Sequence, residues 1–291
     1  MTVGLAKLHA TGNDFLVWDR LGSADAGAGA PTAAHAVALC DRHRGVGADG
    51  LIVLGPGRDG ADCEMVLFNA DGGVAEMSGN GVRCLAWVAV RAGLGGSGRL
   101  VVDTGGGRRV VELDRDRASG TLRAATVDMG AVTFDPSRIP VDAPSAFGLE
   151  ATFHGHTYRG DAAGMGNPHF VTFVEDVAAA RVTQHGPHLE HDPRFPSRTN
   201  VEFVAAGPEP DALRMRVWER GVGETLSCGT GACAAAAVAH RRGLAGDRVT
   251  VHLPGGDLVV ELGDTVRLGG PVVHVFDVVV DPAALVCGSR P

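Results

Sequence analysis

An internal repeat is the feature of this 291-residue chain that most limits how it can fold. Residues 78–94 align without a gap with residues 228–244, at an offset of 150 and with 8 identities in 17 positions. At the same offset, Met65 pairs with Met215 further upstream. Repeated segments of this kind form similar structural units. The chain therefore predicts two halves of similar build, and its length excludes one small domain.

Each repeat contains an alanine- and valine-rich segment with few polar residues, at 81–92 and at 231–242. Both segments end at a glycine, Gly93 or Gly243, which is typical of a helix C-terminus. Helices this apolar are expected to be buried. Short β-rich runs separated by Gly, Pro, Asp and Asn surround them, and these runs predict hairpin-connected strands. They lie at 51–54, 64–68, 100–102, 108–113, 122–128, 170–174, 214–218, 249–253, 257–262 and 272–280.

These elements predict an α/β (α+β) fold of two pseudo-symmetric domains, each a mostly antiparallel sheet wrapped around a central buried helix. The predicted halves are residues 1–130, completed by the C-terminal strand at 273–291, and residues 131–272. Hydrophobic residues make up 45% of the chain, which is enough for such a core.

Charge and composition exclude several classes of function. The net charge is −8 and no basic block interrupts it, so we expect neither a nucleic-acid partner nor a membrane partner. No signal-like or membrane-spanning run is present, which predicts a cytoplasmic protein. The six cysteines form no Cys-x-x-Cys pair, and the twelve histidines form no His-x-x-x-His pattern, so we predict reduced thiols and no metal site. His185 and His188 lie in a proline-containing segment that predicts a solvated loop.

Ser78 and Cys228 occupy equivalent positions, each followed by Gly-x-Gly immediately before a predicted helix. A helix N-terminus binds anions through its free N–H groups and lowers the pKa of a nearby thiol. If the two helix starts face each other, they grip one carboxylate while residues 78 and 228 flank its α-carbon. This arrangement predicts stereochemical inversion by proton removal on one face and proton delivery on the other, which needs no cofactor. It also predicts that Cys228 reacts with iodoacetamide faster than the other cysteines.

Taken singly, both residues have a simpler interpretation. Serine is among the best helix N-caps, and a free cysteine is most often a small buried hydrophobe. The repeat favours a functional pair, because equivalent residues in two halves rarely share one turn by accident.

Several motifs together resemble the diaminopimelate epimerase family across nearly the whole chain and in the same order. They are Lys7-Leu-His-Ala-Thr-Gly-Asn-Asp-Phe15, Gly45-Val-Gly-Ala-Asp-Gly50, Phe68-Asn-Ala-Asp-Gly72, Gly79-Asn-Gly-Val-Arg-Cys84, Gly166-Asn-Pro-His-Phe170, Asn200, Glu219-Arg-Gly-Val-Gly-Glu-Thr225 and Cys228-Gly-Thr-Gly-Ala-Cys233. The resemblance implies a pyridoxal-phosphate-independent epimerase, active as a homodimer, that interconverts LL- and meso-2,6-diaminopimelate.

The resemblance also implies roles for individual residues. Cys228 and the residue at position 78 are the acid–base pair, and the groups near Gly79, Asn80, Gly229 and Thr230 hold the carboxylate of the reacting centre. Asn13 lines the same pocket, and His169 lies near it. The distal amino-acid head is read by Asn69, Asn167, Asn200, Glu219 and Arg220. Arginine binds a carboxylate bidentately and a glutamate accepts from an ammonium, so this set suits such a head.

Ser78 departs from the family pattern, in which this position holds the second catalytic cysteine. A serine hydroxyl is a far poorer base than a thiol near neutral pH. Three interpretations remain open: a Cys-to-Ser variant, a natural Ser/Cys pair with altered chemistry, and a homologue that has lost epimerase activity. The alternative functions are a related cofactor-independent racemase, isomerase or dehydratase for another amino acid, and a non-catalytic binding protein.

Overall fold

The structure is a computed structural model that describes residues 2–22, 29–153 and 155–288. Its helices are α1 (Ala33–Cys40), α2 (Gly79–Arg91), α3 (Val182–Glu190), α4 (Gly229–Arg241) and α5 (Pro282–Gly288). Its strands are β1 (Val3–Ala10), β2 (Asn13–Asp19), β3 (Gly50–Pro56), β4 (Cys63–Asn69), β5 (Val74–Ala75), β6 (Arg99–Thr104), β7 (Gly107–Arg115), β8 (Leu122–Asp128), β9 (Leu149–Phe153), β10 (His156–Gly164), β11 (Pro168–Phe173), β12 (Asn200–Ala206), β13 (Ala212–Glu219), β14 (Gly223–Thr225), β15 (Arg248–Leu253), β16 (Gly256–Glu261), β17 (Arg267–Pro271) and β18 (Val273–Val280).

The chain divides into two compact units. The first unit comprises residues 1–127 and 270–291, and the second comprises residues 128–269. The predicted halves also cover Met1, 23–28, His154 and 289–291, which lie outside the described residues. The predicted mixed α/β fold is confirmed, because strands dominate both units and helices are few. None of the described helices is long and apolar enough to cross a membrane.

The first unit is built around β1, which pairs antiparallel with β18 on one side and β2 on the other. From β2 the sheet continues parallel to β3, antiparallel to β4 and β5, and parallel to β6. It ends with the antiparallel strands β7 and β8. The C-terminal strand β18 thus belongs to the sheet that begins the chain.

The second unit has the same strand order. β9, β10 and β11 are antiparallel, β11 runs parallel to β12, and β12 is antiparallel to β13. β13 then pairs antiparallel with β14 and parallel with β15, after which β16 and β17 follow antiparallel. The repeat in the sequence therefore corresponds to a repeated topology, in which β18 has the place in the first unit that β9 has in the second.

The two apolar helices α2 and α4 are the centres of their units, with ten buried residues in each thirteen-residue helix. Both end in a Schellman motif, in which Leu94 N–H donates to Ala89 O and Leu244 N–H donates to Ala239 O, each at 2.9 Å. The predicted glycine stops are confirmed: Gly93 has φ +94° and Gly243 has φ +70°.

The predicted helix starts were placed two residues late. The helices begin at Gly79 and Gly229, so each Gly-x-Gly forms the first helical turn and not a turn before the helix. In α2 the hydroxyl of Ser78 accepts a hydrogen bond from the backbone N–H of Gly81, and this cap extends the helix over the glycines.

Candidate active site

In the first unit, the start of α2 meets the start of β2. Ser78 Oγ accepts from Gly81 N–H at 3.0 Å, and Asn80 Nδ2 donates to Asn13 Oδ1 at 3.2 Å. Asn80 is buried, Ser78 is partly exposed, and the nearby Gly73 is exposed. Four predicted site residues, Ser78, Gly79, Asn80 and Asn13, therefore lie together.

A charged cluster holds this corner in place. Asn13 Nδ2 donates to Asp49 Oδ2 at 2.7 Å, and Arg42 Nη2 bridges Asp14 Oδ1 at 2.7 Å and Asp49 Oδ1 at 2.8 Å. Lys7 adds a buried ion pair to Asp14. Burial raises the pKa of Asp14, but the hydrogen bonds from Arg42 and Lys7 outweigh burial and bring this pKa to about 2. Asp14 is therefore ionised at neutral pH.

The last predicted residue of the first unit, Asn69, lies at the end of β4 and is exposed. It is close to the same corner, since the backbone N–H of the next residue, Ala70, donates to the carbonyl of Asp49. The start of β2 and the end of β4 thus bring Asn13 and Asn69 to one edge of the sheet.

In the second unit, Cys228 is the N-cap of α4 and is 5% exposed. Its Sγ lies 3.5 Å from Thr230 Oγ1, and the carboxylate of Glu219 at the end of β13 is close enough for its charge to raise the pKa of the thiol. Thr225 donates a short hydrogen bond to Glu219 Oε1. The predicted residues Cys228, Gly229, Thr230 and Glu219 therefore form one cluster.

The electrostatics of this cluster overturn the prediction of a lowered thiol pKa. Burial raises the pKa of Cys228 well above its usual value, and the negative charges of Glu219 and Glu202 raise it further. The hydrogen bonds from Thr230 and from Gly231 N–H are too weak to reverse this. Burial likewise raises the pKa of Glu219, against the hydrogen bond from Thr225. The field of one helix N-terminus is thus outweighed by desolvation and by two carboxylates.

His169 lies on β11 with a fully buried side chain. Its Nδ1 is 2.6 Å from Glu202 Oε1, and its Nε2 is 2.9 Å from Asn167 Oδ1. Glu202 on β12 was not among the predicted site residues. A carboxylate inside the apolar run Asn-Val-Glu-Phe-Val is the signal that could have identified it, because an unpaired buried carboxylate is costly.

Asn200 and Arg220 form the remaining part of the cluster. The buried Asn200 donates from Nδ2 to Pro168 O at 3.0 Å and accepts at Oδ1 from the backbone N–H of Arg220 at 2.9 Å. The guanidinium of Arg220 is partly exposed and donates to Ser197 O at 3.0 Å. Glu190 Oε1 accepts from the next backbone N–H, that of Gly221, at 2.9 Å. Two buried polar side chains therefore fix the backbone from which Arg220 extends.

Within residues 2–22, 29–153 and 155–288, no group of three or more His, Cys, Asp or Glu side chains is arranged to hold a metal ion. The acid–base groups of the cluster around Cys228 are two carboxylates, one imidazole and one thiol. This set can move protons and can stabilise charge that develops on a bound acid.

Solved structures with the same fold include an epimerase and a phenazine biosynthesis protein. A hydroxyproline epimerase from Agrobacterium vitis superposes with a TM-score of 0.71 at 19% identity, covering 98% of this chain and 94% of that chain. A phenazine biosynthesis protein of the PhzF family from Bacillus anthracis superposes with a TM-score of 0.66 at 14% identity, covering 96% and 99%. The fold is therefore the one that this epimerase and this PhzF-family protein share.

Sequence similarity narrows this class to one family. The diaminopimelate epimerase family profile matches residues 5–134 and 162–274. Diaminopimelate epimerase from Pelotomaculum thermopropionicum is 43% identical over 274 residues, which cover 93% of this chain and 96% of that protein. The enzyme from Synechococcus elongatus is also 43% identical, over 282 residues, with 95% and 97% covered. The chain belongs to the diaminopimelate epimerase family.

Proposed function

We propose that this protein interconverts LL- and meso-2,6-diaminopimelate by moving a proton at one α-carbon. The observation that carries the proposal is Cys228, a buried thiol at the start of α4 on whose pKa the nearby carboxylates of Glu219 and Glu202 act, in a chain of this family. An α-proton is removed only if the electron pair left behind is stabilised, and helix N-terminal N–H groups stabilise the charge that develops on the carboxylate. The starts of α2 and α4 supply such groups.

We assign Cys228 and Ser78 to opposite faces of the α-carbon. The raised pKa of Cys228 keeps it as a thiol in the free protein, so it can deliver a proton directly. To act in the other direction Cys228 must first pass its proton on, and we assign Glu219, the carboxylate whose charge acts most strongly on the thiol, as the acceptor. Ser78 Oγ already accepts from Gly81 N–H, so its own proton is the one it has to offer.

A serine in this position makes the reaction slow. Removing the α-proton from the Ser78 face needs an alkoxide, which is scarcely populated near neutral pH. Because each direction of a two-base epimerisation uses both residues, the weaker base limits both directions. We therefore propose an epimerase of low turnover number whose bound substrate is held normally.

Substrate recognition is assigned to both units. Asn13, Asn80 and Thr230, with the backbone at Gly79 and Gly229, bind the reacting carboxylate, and His169 lies near it. Arg220, with Asn69, Asn167 and Asn200, binds the distal head, for which the fixed backbone at Arg220 gives support. Glu219, which the sequence also assigned to this head, is assigned here to Cys228, on which its charge acts. A guanidinium on a rigid backbone discriminates strongly for a carboxylate.

We further propose that the protein works as a cytoplasmic homodimer. Apolar side chains on β18 support the dimer, since Val275 is 51% exposed and Val279 is 71% exposed. Sedimentation equilibrium of the protein and of Val279→Lys tests this. A dimer that the substitution weakens is expected, and a monomer at all concentrations would contradict it.

The function is tested by incubating the protein with pure LL-diaminopimelate and separating the stereoisomers by chiral chromatography. We expect slow appearance of the meso isomer, and none with Cys228→Ala. No conversion by either the protein or Ser78→Cys would overturn the proposal. Faster α-proton exchange with another α-amino acid would replace diaminopimelate as the substrate.

A further inference from the structure

Glu202 is a fully buried carboxylate beside the acid–base cluster of the second unit. It reaches His169 because β11 and β12 run parallel in a register that pairs His169 with Asn200, two residues before Glu202. Glu202 Oε1 lies 2.6 Å from His169 Nδ1, while its Oε2 has no hydrogen-bond partner among the described residues. A buried carboxylate with one unused oxygen is costly, so its retention calls for a functional reason.

The contacts of His169 define what Glu202 does to the ring. A carboxylate at Nδ1 accepts a hydrogen bond there, so Nδ1 carries a proton. The other nitrogen, Nε2, then faces Asn167 at 2.9 Å. An imidazolium donates to the amide oxygen of Asn167, whereas a neutral ring accepts from its amide nitrogen after the amide has rotated. The charge on the His169 and Glu202 pair therefore decides which end of the Asn167 amide is left for a ligand.

The same carboxylate also lies against the start of α4. A Cβ added at Gly231 would be 2.7 Å from Glu202 Oε1 and 3.3 Å from Cys228 Sγ. The carboxylate and the thiol thus flank one glycine, and only a residue without a side chain leaves both in place. The charged groups that act on Cys228 are Glu202 from β12 and Glu219 from β13, and His169 from β11 acts in turn on Glu219.

We propose that Glu202 is a positioning residue for this site: it fixes the ring of His169 with Nε2 toward Asn167, and it supplies a buried negative charge next to Cys228. The role of Glu202 rests on the proposed function only in the assays that measure turnover, and not in the labelling of Cys228. The negative charge of Glu202 keeps the Cys228 thiol protonated in the protein without ligand. The orientation of the His169 ring holds the Asn167 amide in the orientation that a ligand meets. Glu202 acts through its neighbours and does not itself touch the substrate.

The test compares Glu202→Gln with Glu202→Asp, and uses Asp161→Asn as the matched control. Glutamine keeps the shape and removes the charge, while aspartate keeps the charge and withdraws it from His169. Asp161 is an equally buried carboxylate of the same unit, paired with Arg242 and outside the cluster. The readout is the rate at which iodoacetamide labels Cys228, followed by peptide mass spectrometry from pH 7 to 10. Cys40, Cys63 and Cys84, whose pKa values burial raises to about 12, serve as slow internal references.

We expect Glu202→Gln to label Cys228 roughly tenfold faster at a given pH, the effect of about one unit in the thiol pKa. Asp161→Asn is expected to label at the parental rate, and Glu202→Asp, which keeps the charge but moves it back from both His169 and Cys228, at a rate between the parent and Glu202→Gln. In the epimerase assay of the Ser78→Cys protein, Glu202→Gln and Glu202→Asp should both lower kcat, with a shifted pH profile for Glu202→Gln alone.

Unchanged labelling in Glu202→Gln, with a parental pH profile, would overturn the proposal. If Glu202→Gln does not fold, parental kcat in Glu202→Asp would overturn it as well. Labelling needs no substrate, so faster labelling in a protein without epimerase activity would contradict the proposed function and leave the role of Glu202 next to Cys228 standing.

Discussion

Ser78 Oγ accepts a hydrogen bond from the backbone N–H of Gly81 at 3.0 Å, and this contact makes the serine a helix cap as well as a candidate acid. Ser78→Cys replaces a good cap by a weaker one and restores a group that ionises near neutral pH. We expect turnover to rise by about a hundredfold, within the usual range for a general base. We also expect a stability loss of about 1 kcal/mol. Initial rates and urea unfolding measure the two effects. A loss of stability without a gain in rate would show that the serine does not limit turnover.

Arg220 is expected to control binding of the distal head. Arg220→Met removes the guanidinium while its backbone remains held by Asn200 and Glu190. KM for diaminopimelate should rise by roughly a hundredfold, the effect of about 3 kcal/mol for a lost charged pair. Arg220→Lys keeps the charge without the bidentate geometry, so its KM should lie between that of the parent and that of Arg220→Met. An unchanged KM in Arg220→Met would remove this residue from the binding site.

Gly231 and Gly81 occupy the same position in α4 and α2, and they provide a matched pair of substitutions. A Cβ at Gly231 would meet Glu202 Oε1 at 2.7 Å, whereas a Cβ at Gly81 would meet Ile52 and Ser78 atoms no closer than 3.2 Å. Gly231→Ala should therefore lower kcat by at least about tenfold, since small displacements at a reacting centre are costly. Gly81→Ala should lower kcat by less, because its Cβ has more room, and alanine also stabilises the helix. Equal losses in the two variants would contradict this account of the second unit.

The ion pairs of Asp14 are expected to stabilise the first unit in a pH-dependent way. The folded-state pKa of Asp14 is lowered from 3.8 to about 2, so the stabilisation is complete above the unfolded value and is lost as the pH falls toward 2. The shift corresponds to about 2 kcal/mol at neutral pH. Asp14→Asn should lower the free energy of unfolding by at least that much at pH 7, because it leaves the buried Lys7 unpaired.

Urea unfolding between pH 7 and pH 3 measures the difference between Asp14→Asn and the parent. The gap should be constant above about pH 5 and should narrow below pH 4, as the parental carboxylate becomes protonated. Asp114→Asn, which removes an exposed carboxylate of the same unit, is the control and should show no such pH dependence. A gap that stays constant down to pH 3 would exclude ionised Asp14 as its source.

The parts of the structure that were predictable depend on local pattern. The apolar helices α2 and α4, their glycine stops and the hairpin strands all follow from residues close together in the chain. The starts of α2 and α4 were missed by two residues because the glycines of both first turns have low helix propensity, which the packing of these two buried helices overrides.

The predicted loop around His185 was wrong for a related reason. Residues 182–190 form helix α3 despite Pro187, and His185 is 4% exposed with its Nδ1 2.6 Å from the Tyr158 hydroxyl. Tyr158 lies 27 residues earlier on β10, so no local pattern reports this contact. Tertiary packing overrode the composition of the segment.

The raised pKa of Cys228 could not be predicted from the sequence either. Cys228 and Glu202 are 26 positions apart, and their interaction depends on how β12 lies relative to the start of α4. A helix N-terminus lowers the pKa of a nearby thiol, but at Cys228 burial and the two carboxylates raise it by more. Long-range register, such as the parallel pairing of β11 and β12, is what brings those charges together.

The central claim is that Cys228 exchanges a proton with the α-carbon of diaminopimelate while residue 78 serves the opposite face. Deuterium incorporation at the α-carbon in heavy water, measured by mass spectrometry for LL- and meso-diaminopimelate in parallel, tests it most directly. We predict slow incorporation from both isomers, faster incorporation with Ser78→Cys, and none with Cys228→Ala. Absence of incorporation from either isomer, in the protein and in Ser78→Cys alike, would contradict the claim.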